Sequence, residues 1–257
     1  MARLYAVWNR VFMGGLALLE TLHAGLWLGL LRRTQLNAVT ARFYLGQACY
    51  VDSGYNASGL FDWERSAIAR YFPSTGRVLV PGCGGGRELS ALTAMGFRTT
   101  GFDPDPRFVD AAQDADVAGL AHRPVVVHAP PDKVPAGLGM HDACVLGWGA
   151  YTHMAGRDAR IALLRELAGV LVPGAPLLLS FWASPPSPRR VRIAHRFASL
   201  VARLTFNDRS PEYGDWLGQH FAHYFDEAEV RAELREAGFD MLTYIEEPYA
   251  HAVACRT

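Results

Sequence analysis

Short apolar runs alternate with segments of helical period over most of the chain after residue 76. We predict buried strands at residues 77–80, 98–102, 124–128, 142–146 and 176–181, with helices between them at residues 87–96, 106–117 and 157–171. Apolar strands that alternate with helices are typical of a parallel sheet that is covered on both faces. The pattern therefore predicts an α/β fold whose ligand crevice lies at the carboxyl ends of the strands.

The C-terminal part of the chain reverses the direction of the sheet. A helix predicted at residues 226–237 is followed by strands around residues 241–245 and 250–255. The residues between these strands, 246–249, are too few for a parallel crossover, so the two strands must pair antiparallel. We expect a doubly wound sheet of seven strands, mostly parallel, with an antiparallel C-terminal edge.

Two segments lie outside this alternation. Residues 1–70 show helical patterns and predict a helical N-terminal cap in front of a domain at residues 71–257. Residues 184–223 interrupt that domain with a proline-rich start, an arginine-rich helix and several aromatic residues. This composition favours a lid or a substrate-binding insertion, and a plain linker is the alternative.

The longest apolar run covers residues 11–31. Its length would suit a membrane span, but Glu20 would lie near the bilayer centre, where a charge costs about 3 kcal/mol. A signal peptide fits poorly, because no small-x-small cleavage site follows the run. We therefore expect a buried helix that caps the domain, in which Glu20 pairs with His23 on the face that also carries Trp27.

Overall composition argues against two classes of partner. The chain carries 25 basic and 25 acidic residues, so neither nucleic acid nor an anionic membrane is an expected partner. Its four cysteines lie far apart, which is expected of a protein in the reducing cytoplasm and not of a disulfide framework or a structural zinc site. The sequence carries no signal for the oligomeric state.

A glycine-rich loop follows the first predicted strand. Gly82, Gly84 and Gly86 allow the backbone to turn tightly and to touch a ligand without a Cβ in the way. The helix that follows directs its positive end towards the same ligand. Asp103 ends the second predicted strand, where its carboxylate can accept hydrogen bonds from both hydroxyls of a ribose. Loop and acid together predict a ligand of the adenosine type.

The spacing of the loop separates two possible cofactors. A dinucleotide site has the pattern G-x-G-x-x-G, but Arg87 occupies the position of the third glycine. The G-x-G-x-G spacing instead resembles the first motif of class I S-adenosylmethionine-dependent methyltransferases. The resemblance extends over residues 77–256, where Asp103 matches the ribose-binding acid of that family and residues 171–174 match the turn before its fifth strand. It implies a Rossmann-like domain that binds S-adenosyl-L-methionine.

Other features qualify this resemblance. Residues 79–84 also resemble thiopurine- and halide-type methyltransferases, but the usual continuation of that subfamily is absent. Val80 replaces an acid that the family commonly uses towards the methionine amino group, so Glu88 or loop carbonyls must take part of that role. The acid that often follows the third strand is missing as well, and Asp132 is a poorly placed substitute.

The resemblance and the residue types together predict the site. The cofactor contacts are expected at Gly82, Cys83, Gly84, Gly86, Asp103, Pro104 and Trp148. His153 is the candidate base, and Tyr55 is expected to place its hydroxyl near the transferred methyl group, with a purely structural role as the alternative for each. Substrate contacts are expected from Tyr50, Tyr151, Trp216, His220 and His223.

The predicted lid contains a candidate metal site. His220 and His223 would lie one helical turn apart, with His195 and Asp215 near them in sequence. Two nitrogens could bind one ion, but nothing fixes a third ligand. We therefore expect no metal and assign these histidines to the acceptor pocket.

The sequence thus predicts an S-adenosyl-L-methionine-dependent methyltransferase that acts on a small-molecule acceptor by in-line methyl transfer. Such chemistry needs a nucleophile held near the methyl group in a water-poor site, and it needs no covalent enzyme intermediate. The alternatives are an NAD-linked oxidoreductase, a non-catalytic S-adenosylmethionine-binding protein, and a membrane-associated methyltransferase anchored through residues 11–31.

Overall fold

The computed structural model describes residues 1–115, 122–183, 185 and 187–257. Its helices are α1 (Ala2–Leu30), α2 (Arg33–Leu45), α3 (Ser53–Asn56), α4 (Asp62–Tyr71), α5 (Arg87–Ala94), α6 (Pro106–Gln113), α7 (Arg157–Gly169), α8 (Pro188–Leu204) and α9 (Glu227–Glu236). Its strands are β1 (Arg77–Pro81), β2 (Arg98–Asp103), β3 (Val125–His128), β4 (Ala143–Leu146), β5 (Pro176–Ser180), β6 (Asp215–Leu217), β7 (Phe221–His223), β8 (Phe239–Ile245) and β9 (His251–Arg256). Short 3₁₀ helices cover Ala48–Val51 and Ala150–His153.

Within the described residues, seven strands form one sheet in the order β3-β2-β1-β4-β5-β9-β8. The first five strands in this order, β3, β2, β1, β4 and β5, are parallel to one another. Strand β9 pairs antiparallel with both β5 and β8. The predicted Rossmann-like sheet with an antiparallel C-terminal edge is therefore confirmed. Because β2 and β4 flank β1 on opposite sides, the carboxyl ends of β1 and β4 border the switch point where ligands bind in such sheets.

Both faces of the sheet are apolar because helices cover both of them. In β1, Val78 and Val80 belong to a buried cluster on one face that includes Leu89 of α5. Leu79 belongs to the cluster on the other face, together with Leu164 of α7. This alternation explains why the strand reads as a continuous apolar run in the sequence.

Two predicted boundaries fall at the limits of the described residues. The helix expected at residues 106–117 is present as α6, which ends at Gln113, and residues 116–121 lie outside the described part of the chain. The predicted lid begins at Ser184, which also lies outside it. From residue 187 onwards, this segment contains α8 and the two-stranded hairpin of β6 and β7.

The N-terminal helix differs from the expectation of a buried cap. Residues 2–20 of α1 are exposed apart from a half-buried Ala17, and burial is confined to positions in the last three turns. The element that covers those turns is α8, which begins only at Pro188 and runs parallel to α1 with Arg190 beside Thr21. The prediction was wrong for two thirds of the helix, because no described element faces its first five turns.

The covered part of α1 packs closely against α8. A Cβ on Gly25 would lie 2.8 Å from the Ala194 carbonyl oxygen, and one on Gly29 would lie 2.6 Å from the Ala198 carbonyl oxygen. The two helices therefore approach through small residues spaced four apart on each side. At the edge of this contact Glu20 pairs with Arg190 at 2.7 Å, which corrects the expected pairing of Glu20 with His23.

Candidate functional site

The glycine loop between β1 and α5 has a conformation that only glycine adopts easily. Gly82, Gly84 and Gly86 have φ angles of 64°, 52° and 94°. The backbone N–H groups of Gly82 and Cys83 donate to the Phe102 carbonyl at 2.8 and 3.2 Å, so the loop is held against the end of β2. This arrangement places the loop directly beside Asp103.

Asp103 is buried and keeps free acceptor capacity. Its Oδ2 accepts the Gly84 N–H and its Oδ1 accepts the Asp105 N–H, both at 2.9 Å. Burial raises the pKa of Asp103 to about 6, and the two backbone donors oppose this rise. Each carboxylate oxygen has two lone pairs, so one on each oxygen remains for a ligand hydroxyl.

A cavity of about 960 Å³ lies against the carboxyl ends of β1, β2 and β4. This is near the upper end of the range for small-molecule sites. The expected site residues that line it are Gly82, Gly84, Asp103, Pro104, Trp148, His153 and Tyr50. The structure thus gathers much of the predicted cofactor site and the candidate base around one space, whose opposite wall is formed by α2.

A second cavity of about 30 Å³ adjoins the first at the glycine loop. It is lined by Tyr50, Tyr55, Asn56, Gly82, Cys83, Gly84, Gly85, Arg87, Glu88 and Trp148. Of the two tyrosines, Tyr50 lines both cavities, whereas Tyr55 lines only the smaller one. The catalytic role expected for Tyr55 stays a prediction, and the geometry brings Tyr50 closer to the large cavity.

The smaller cavity offers acceptor atoms for an ammonium group, although Val80 replaces the usual acid. Glu88 is buried, and its Oε1 accepts from Arg87 at 2.7 Å and from the Trp148 N–H at 3.4 Å. Burial raises the pKa of Glu88, and the Arg87 guanidinium opposes that effect. Asn56 donates its Nδ2 to the Tyr50 carbonyl, but its buried Oδ1 has no partner in the described structure.

The sequence shows Arg87 only as the residue that stands in place of a third glycine. The structure shows which groups it binds. Its guanidinium forms ion pairs with Glu64 of α4 and with Glu88, each at 2.7 Å, and donates to the Gly59 carbonyl. It also lies 4.0 Å from the centre of the Phe61 ring. Arg87 therefore joins the N-terminal helices to the start of α5.

Gly85 allows the segment that contains Tyr50 and Asn56 to pack closely over the glycine loop. A Cβ on Gly85 would lie 1.9 Å from the Tyr50 carbonyl oxygen and 2.3 Å from Nδ2 of Asn56. Its φ angle is not in the left-handed region, so close approach and not conformation requires glycine here. Gly85 belongs to the glycine run that is visible in the sequence, but the sequence does not show that Tyr50 and Asn56 pack against it.

His153 lines the large cavity. Its Nδ1 lies 2.9 Å from the Phe221 carbonyl oxygen, which can only accept, so Nδ1 carries the proton and Nε2 is the free base. Burial lowers the pKa of His153 to about 4, the Phe221 contact opposes the shift, and His220 adds to it. The imidazole is therefore neutral at physiological pH and is a weak base.

His220 lies beside His153 and does not line the large cavity. Its ring stacks on Phe43 at 4.2 Å between centroids and meets the His153 ring edge at 4.9 Å. It directly precedes β7, so His220 and His223 fall on opposite faces of a strand, and the expected helical turn is wrong. The expected direct substrate contact is replaced by packing against the candidate base.

Three further substrate contacts are corrected by the structure. Tyr151 is fully buried, stacks on Phe225 and donates its hydroxyl to Glu233. His223 is fully buried as well, with its ring nitrogens on Asp215 and Glu229. Trp216 lies on β6 under the Arg190 guanidinium, 5.2 Å from it, and lines neither cavity. Tyr151 and His223 lie in the interior because they bind Glu233 and Asp215 there, and Trp216 lies beside Arg190 of α8.

Gly86 also differs from its expected role. It lines neither cavity, and a Cβ there would lie 3.1 Å from that of Ala112. It is the residue before the first turn of α5, with a left-handed backbone. Gly86 therefore allows α5 and α6 to approach each other, and the cofactor contact expected of it is not supported.

A buried ion network connects residues 209–223 to α7 and α9. Asp215 accepts from Arg209 at 2.7 Å and from His223 at 2.8 Å, and these bonds lower its pKa to about 2 despite burial. Burial would lower the pKa of His223, but its bonds to Asp215 and Glu229 raise it to about 9. His223 is therefore protonated at neutral pH.

The same network contains the one cluster of metal-ligating groups found among the described residues. Ligand atoms of Glu212, Asp215 and His223 lie within 4.8 Å of one another. Each of these groups already has a partner. Arg160 binds Glu212 at 2.8 Å, Arg209 binds Asp215, and His223 binds Asp215 as well. We assign the cluster to the ion network.

Residues of α2, which the sequence did not indicate, complete the large cavity together with the loop after β3, which contains Asp132. Tyr44 lies between His153 and Tyr50, with ring centroids 5.6 Å from each. Burial raises the pKa of its hydroxyl far above its usual value. Arg33 pairs with Asp132 at 3.0 Å, and both line the cavity, so Asp132 does reach the site. No motif marks these positions, because the apolar pattern of α2 is weak.

Comparisons with known proteins agree with this geometry. A family model described as "Methyltransferase domain" matches residues 58–244. A structure of a SAM-dependent methyltransferase from Methanosarcina mazei is 19% identical, with 77% of this chain and 98% of that chain covered and a TM-score of 0.58. A Burkholderia thailandensis 1,6-didemethyltoxoflavin-N1-methyltransferase is 19% identical over 88% of this chain and 91% of the other, with a TM-score of 0.58.

A third similar structure is a SAM-bound amino pentose methyltransferase from Micromonospora echinaspora, 18% identical over 84% of this chain and 95% of the other, with a TM-score of 0.53. A search of curated proteins finds no match. At these identities the structures show the fold, and the family model covers most of the chain. The chain belongs to the methyltransferase domain family, with the fold of class I S-adenosylmethionine-dependent methyltransferases.

Proposed function

We propose that this protein transfers a methyl group from S-adenosyl-L-methionine to a small-molecule acceptor. The observation that carries the proposal is the position of Asp103, which lies beside the glycine loop in the wall of a cavity that extends to His153. The similar structures support the acceptor class, since two of them are methyltransferases of a toxoflavin precursor and of an amino pentose.

The residues present fit S-adenosyl-L-methionine. Asp103 has free lone pairs for the ribose hydroxyls, and the unpartnered Oδ1 of Asn56 and the carboxylate of Glu88 line the small cavity, where they can accept an ammonium group. Trp148 lines both cavities, so its ring could pack against the positively charged sulfur of the cofactor. When bound, this cofactor would supply an activated methyl group, to whose carbon the acceptor atom would bond in line while the carbon–sulfur bond breaks and S-adenosylhomocysteine leaves.

The protein's own residues would then hold the acceptor and exclude water. The exposed lining of the large cavity is mostly apolar, with Ala38, Ala41, Leu45, Phe108, Met154 and Leu163 in its wall, and its charged groups include Asp103 and the Arg33–Asp132 pair. His153 Nε2 is the free nitrogen that can accept a proton from the acceptor, and Tyr44 and Tyr50 stay protonated because burial raises the pKa of both. The site therefore fits an acceptor with an apolar body and one ionisable atom.

Binding measurements test the proposal directly. Calorimetry should show that S-adenosylhomocysteine binds the full chain and that NAD does not, which also distinguishes an oxidoreductase. Incubation with radiolabelled S-adenosyl-L-methionine and small aromatic or sugar acceptors should then transfer the label. Binding of NAD without S-adenosylhomocysteine would contradict the proposal, and cofactor binding without transfer to any acceptor would support a non-catalytic protein.

Gly85→Ala should lower the affinity for S-adenosylhomocysteine by about tenfold or more. The new methyl group would collide with the Tyr50 carbonyl at 1.9 Å, so the segment that covers the glycine loop must move away. Gly169→Ala is the matched control, because nothing lies within 4 Å of a Cβ there. Equal affinities of the two variants in calorimetry would show that closure of this segment does not matter for binding.

His153→Ala should lower single-turnover methyl transfer by about tenfold and leave the cofactor affinity nearly unchanged. The expected loss is below the usual range for a general base of about 10²–10⁴, because a pKa of about 4 makes the imidazole a weak base. Since the neutral form dominates above that pKa, the contribution of His153 should be constant from pH 8 to pH 6. An unchanged rate in the variant at every pH would assign His153 a structural role.

A further inference from the structure

The outer face of α1 carries large apolar side chains that neither the core nor the proposed site uses. Exposed residues on this face are Leu4, Trp8, Phe12, Leu19, Leu22, Leu26 and Leu30. Their intervals of three, four and seven residues place them in one stripe along the helix. The stripe therefore runs the whole length of α1, about 43 Å, along both its free and its covered part.

Small and basic residues prevail on the opposite face of α1, although the exposed Val7 and Met13 also lie towards it. In the covered part it packs on α8 through Thr21, Ala24, Gly25 and Leu28. In the free part the same face carries Ala6, Arg10, Gly14 and Ala17, and Arg3 lies seven residues before Arg10. The helix thus has an apolar outer face and an opposite face that carries two arginines in the free part and contacts the domain only in the covered part. Among the described residues it is also the helix long and apolar enough to cross a membrane.

The neighbouring helix α8 adds a strongly basic surface. It contains five arginines and no acidic residue, although the whole chain has no net charge. Arg189, Arg192, Arg196 and Arg203 are exposed and share one stripe by their spacing. Exposed Ile193, Leu200 and Leu204 form the stripe beside them. An apolar surface is therefore bordered by a row of arginines.

We propose that α1 lies along the surface of an anionic phospholipid bilayer, with its outer stripe in the boundary of the acyl chains. A helix with one apolar face and arginines on the other is the form that interfacial helices take. Arginines of α8 then reach the headgroups, where each basic side chain adds to the attraction. Trp8, in the free part of the stripe, is of the residue type favoured at that depth.

Charge favours lipid over a second copy of this chain. Glu20 is the one acidic residue on α1 and α8, and it already pairs with Arg190. A symmetric contact between two copies of this surface would set arginine rows against each other with no acid to compensate. Anionic headgroups supply the missing negative charge. The ion pair and the glycine contacts also hold α1 to α8, so the helix lies in the plane of the surface and does not cross the bilayer.

Flotation of the full chain with vesicles tests this proposal. We expect binding to vesicles of mixed phosphatidylcholine and phosphatidylglycerol, weaker binding to phosphatidylcholine alone, and release by high salt. Phe12→Glu should lower the partition coefficient by about tenfold, and so should the triple variant Arg189→Ala/Arg192→Ala/Arg196→Ala. The matched control for Phe12→Glu is Leu242→Glu, since the Leu242 side chain is 53% exposed and that of Phe12 is 51% exposed. The matched control for the triple arginine variant is Arg70→Ala/Arg98→Ala/Arg235→Ala, at three exposed arginines. Both controls should bind like the unchanged protein.

Other outcomes would overturn the proposal. One is that the protein does not bind the anionic vesicles, and another is that the control variants lose as much vesicle binding as the test variants. A third is that light scattering shows a dimer, which Phe12→Glu dissociates, while the protein does not bind vesicles. Retention of the protein after an alkaline carbonate wash would show a spanning helix and would contradict the arrangement in the plane. Calorimetry with S-adenosylhomocysteine checks that each variant is folded, so failure here is distinct from failure of the proposed methyl transfer.

Discussion

Arg160→Met should lower the free energy of unfolding by about 3–5 kcal/mol, because it leaves a buried carboxylate without its partner. Arg160 is fully buried and binds Glu233 through Nη2 at 2.6 Å and through Nε at 3.0 and 3.1 Å. The same guanidinium reaches Glu212 of the lid segment at 2.8 Å and Glu229 at 3.2 Å. Loss of one side chain would therefore leave Glu233 without its cation in the interior, beside the partly exposed Glu212 and Glu229.

Two further variants make this prediction decisive. Arg165→Met, at a half-exposed position on the same helix with Glu236 at 3.3 Å, should cost less than about 1 kcal/mol. Arg160→Met/Glu233→Gln removes both buried charges and should recover much of the stability, since Gln can still accept the Tyr151 hydroxyl. Urea denaturation measures all three. If Arg160→Met costs no more than Arg165→Met, the network does not stabilise the fold.

The sheet and the cofactor end of the site could be predicted because local patterns determine them. Strands such as β1 are short apolar runs that end at glycine, and their order places their carboxyl ends together. Gly84 and Asp103 each follow a strand, so their proximity was predictable without any knowledge of packing. The structure then joins them by a direct hydrogen bond.

The orientation of other side chains depends on partners that are distant in sequence. Tyr151 follows β4, where a substrate contact is expected, but Glu233 of α9 binds its hydroxyl in the interior. His223 points away from the cavity because it lies in a strand and has Asp215 beside it. Neither Glu233 nor the hairpin could be recognised from its local sequence.

Hydrophobicity alone also could not decide where α1 lies. An apolar run indicates a surface that avoids water, but burial needs an element to pack against. Because α8 starts beside Thr21, only the end of α1 finds such an element within the described chain. The same pattern that predicted a buried cap thus marks an exposed surface.

Asp103→Ala should weaken the binding of S-adenosylhomocysteine by about 2–3 kcal/mol, which is a factor of about 30–150. In the proposed complex the carboxylate accepts hydrogen bonds from two ribose hydroxyls, and alanine would remove both bonds. Asp103→Asn keeps one oxygen and should bind with intermediate affinity. Asp110→Ala, an exposed acid on α6, is the control and should change the affinity little.

The pH dependence gives this prediction a second signature. Burial raises the pKa of Asp103 from its ordinary 3.8 to about 6 in the free protein, and a ribose that donates hydrogen bonds favours the ionised form. Affinity should therefore be highest above pH 6 and should fall as the pH drops below it, because binding must then remove a proton from the carboxyl group. Calorimetry between pH 8 and pH 5 should show this fall in the unchanged protein and not in Asp103→Asn. The same fall in both proteins would assign the titration to another group, and an undiminished affinity of Asp103→Ala would remove Asp103 from the cofactor site.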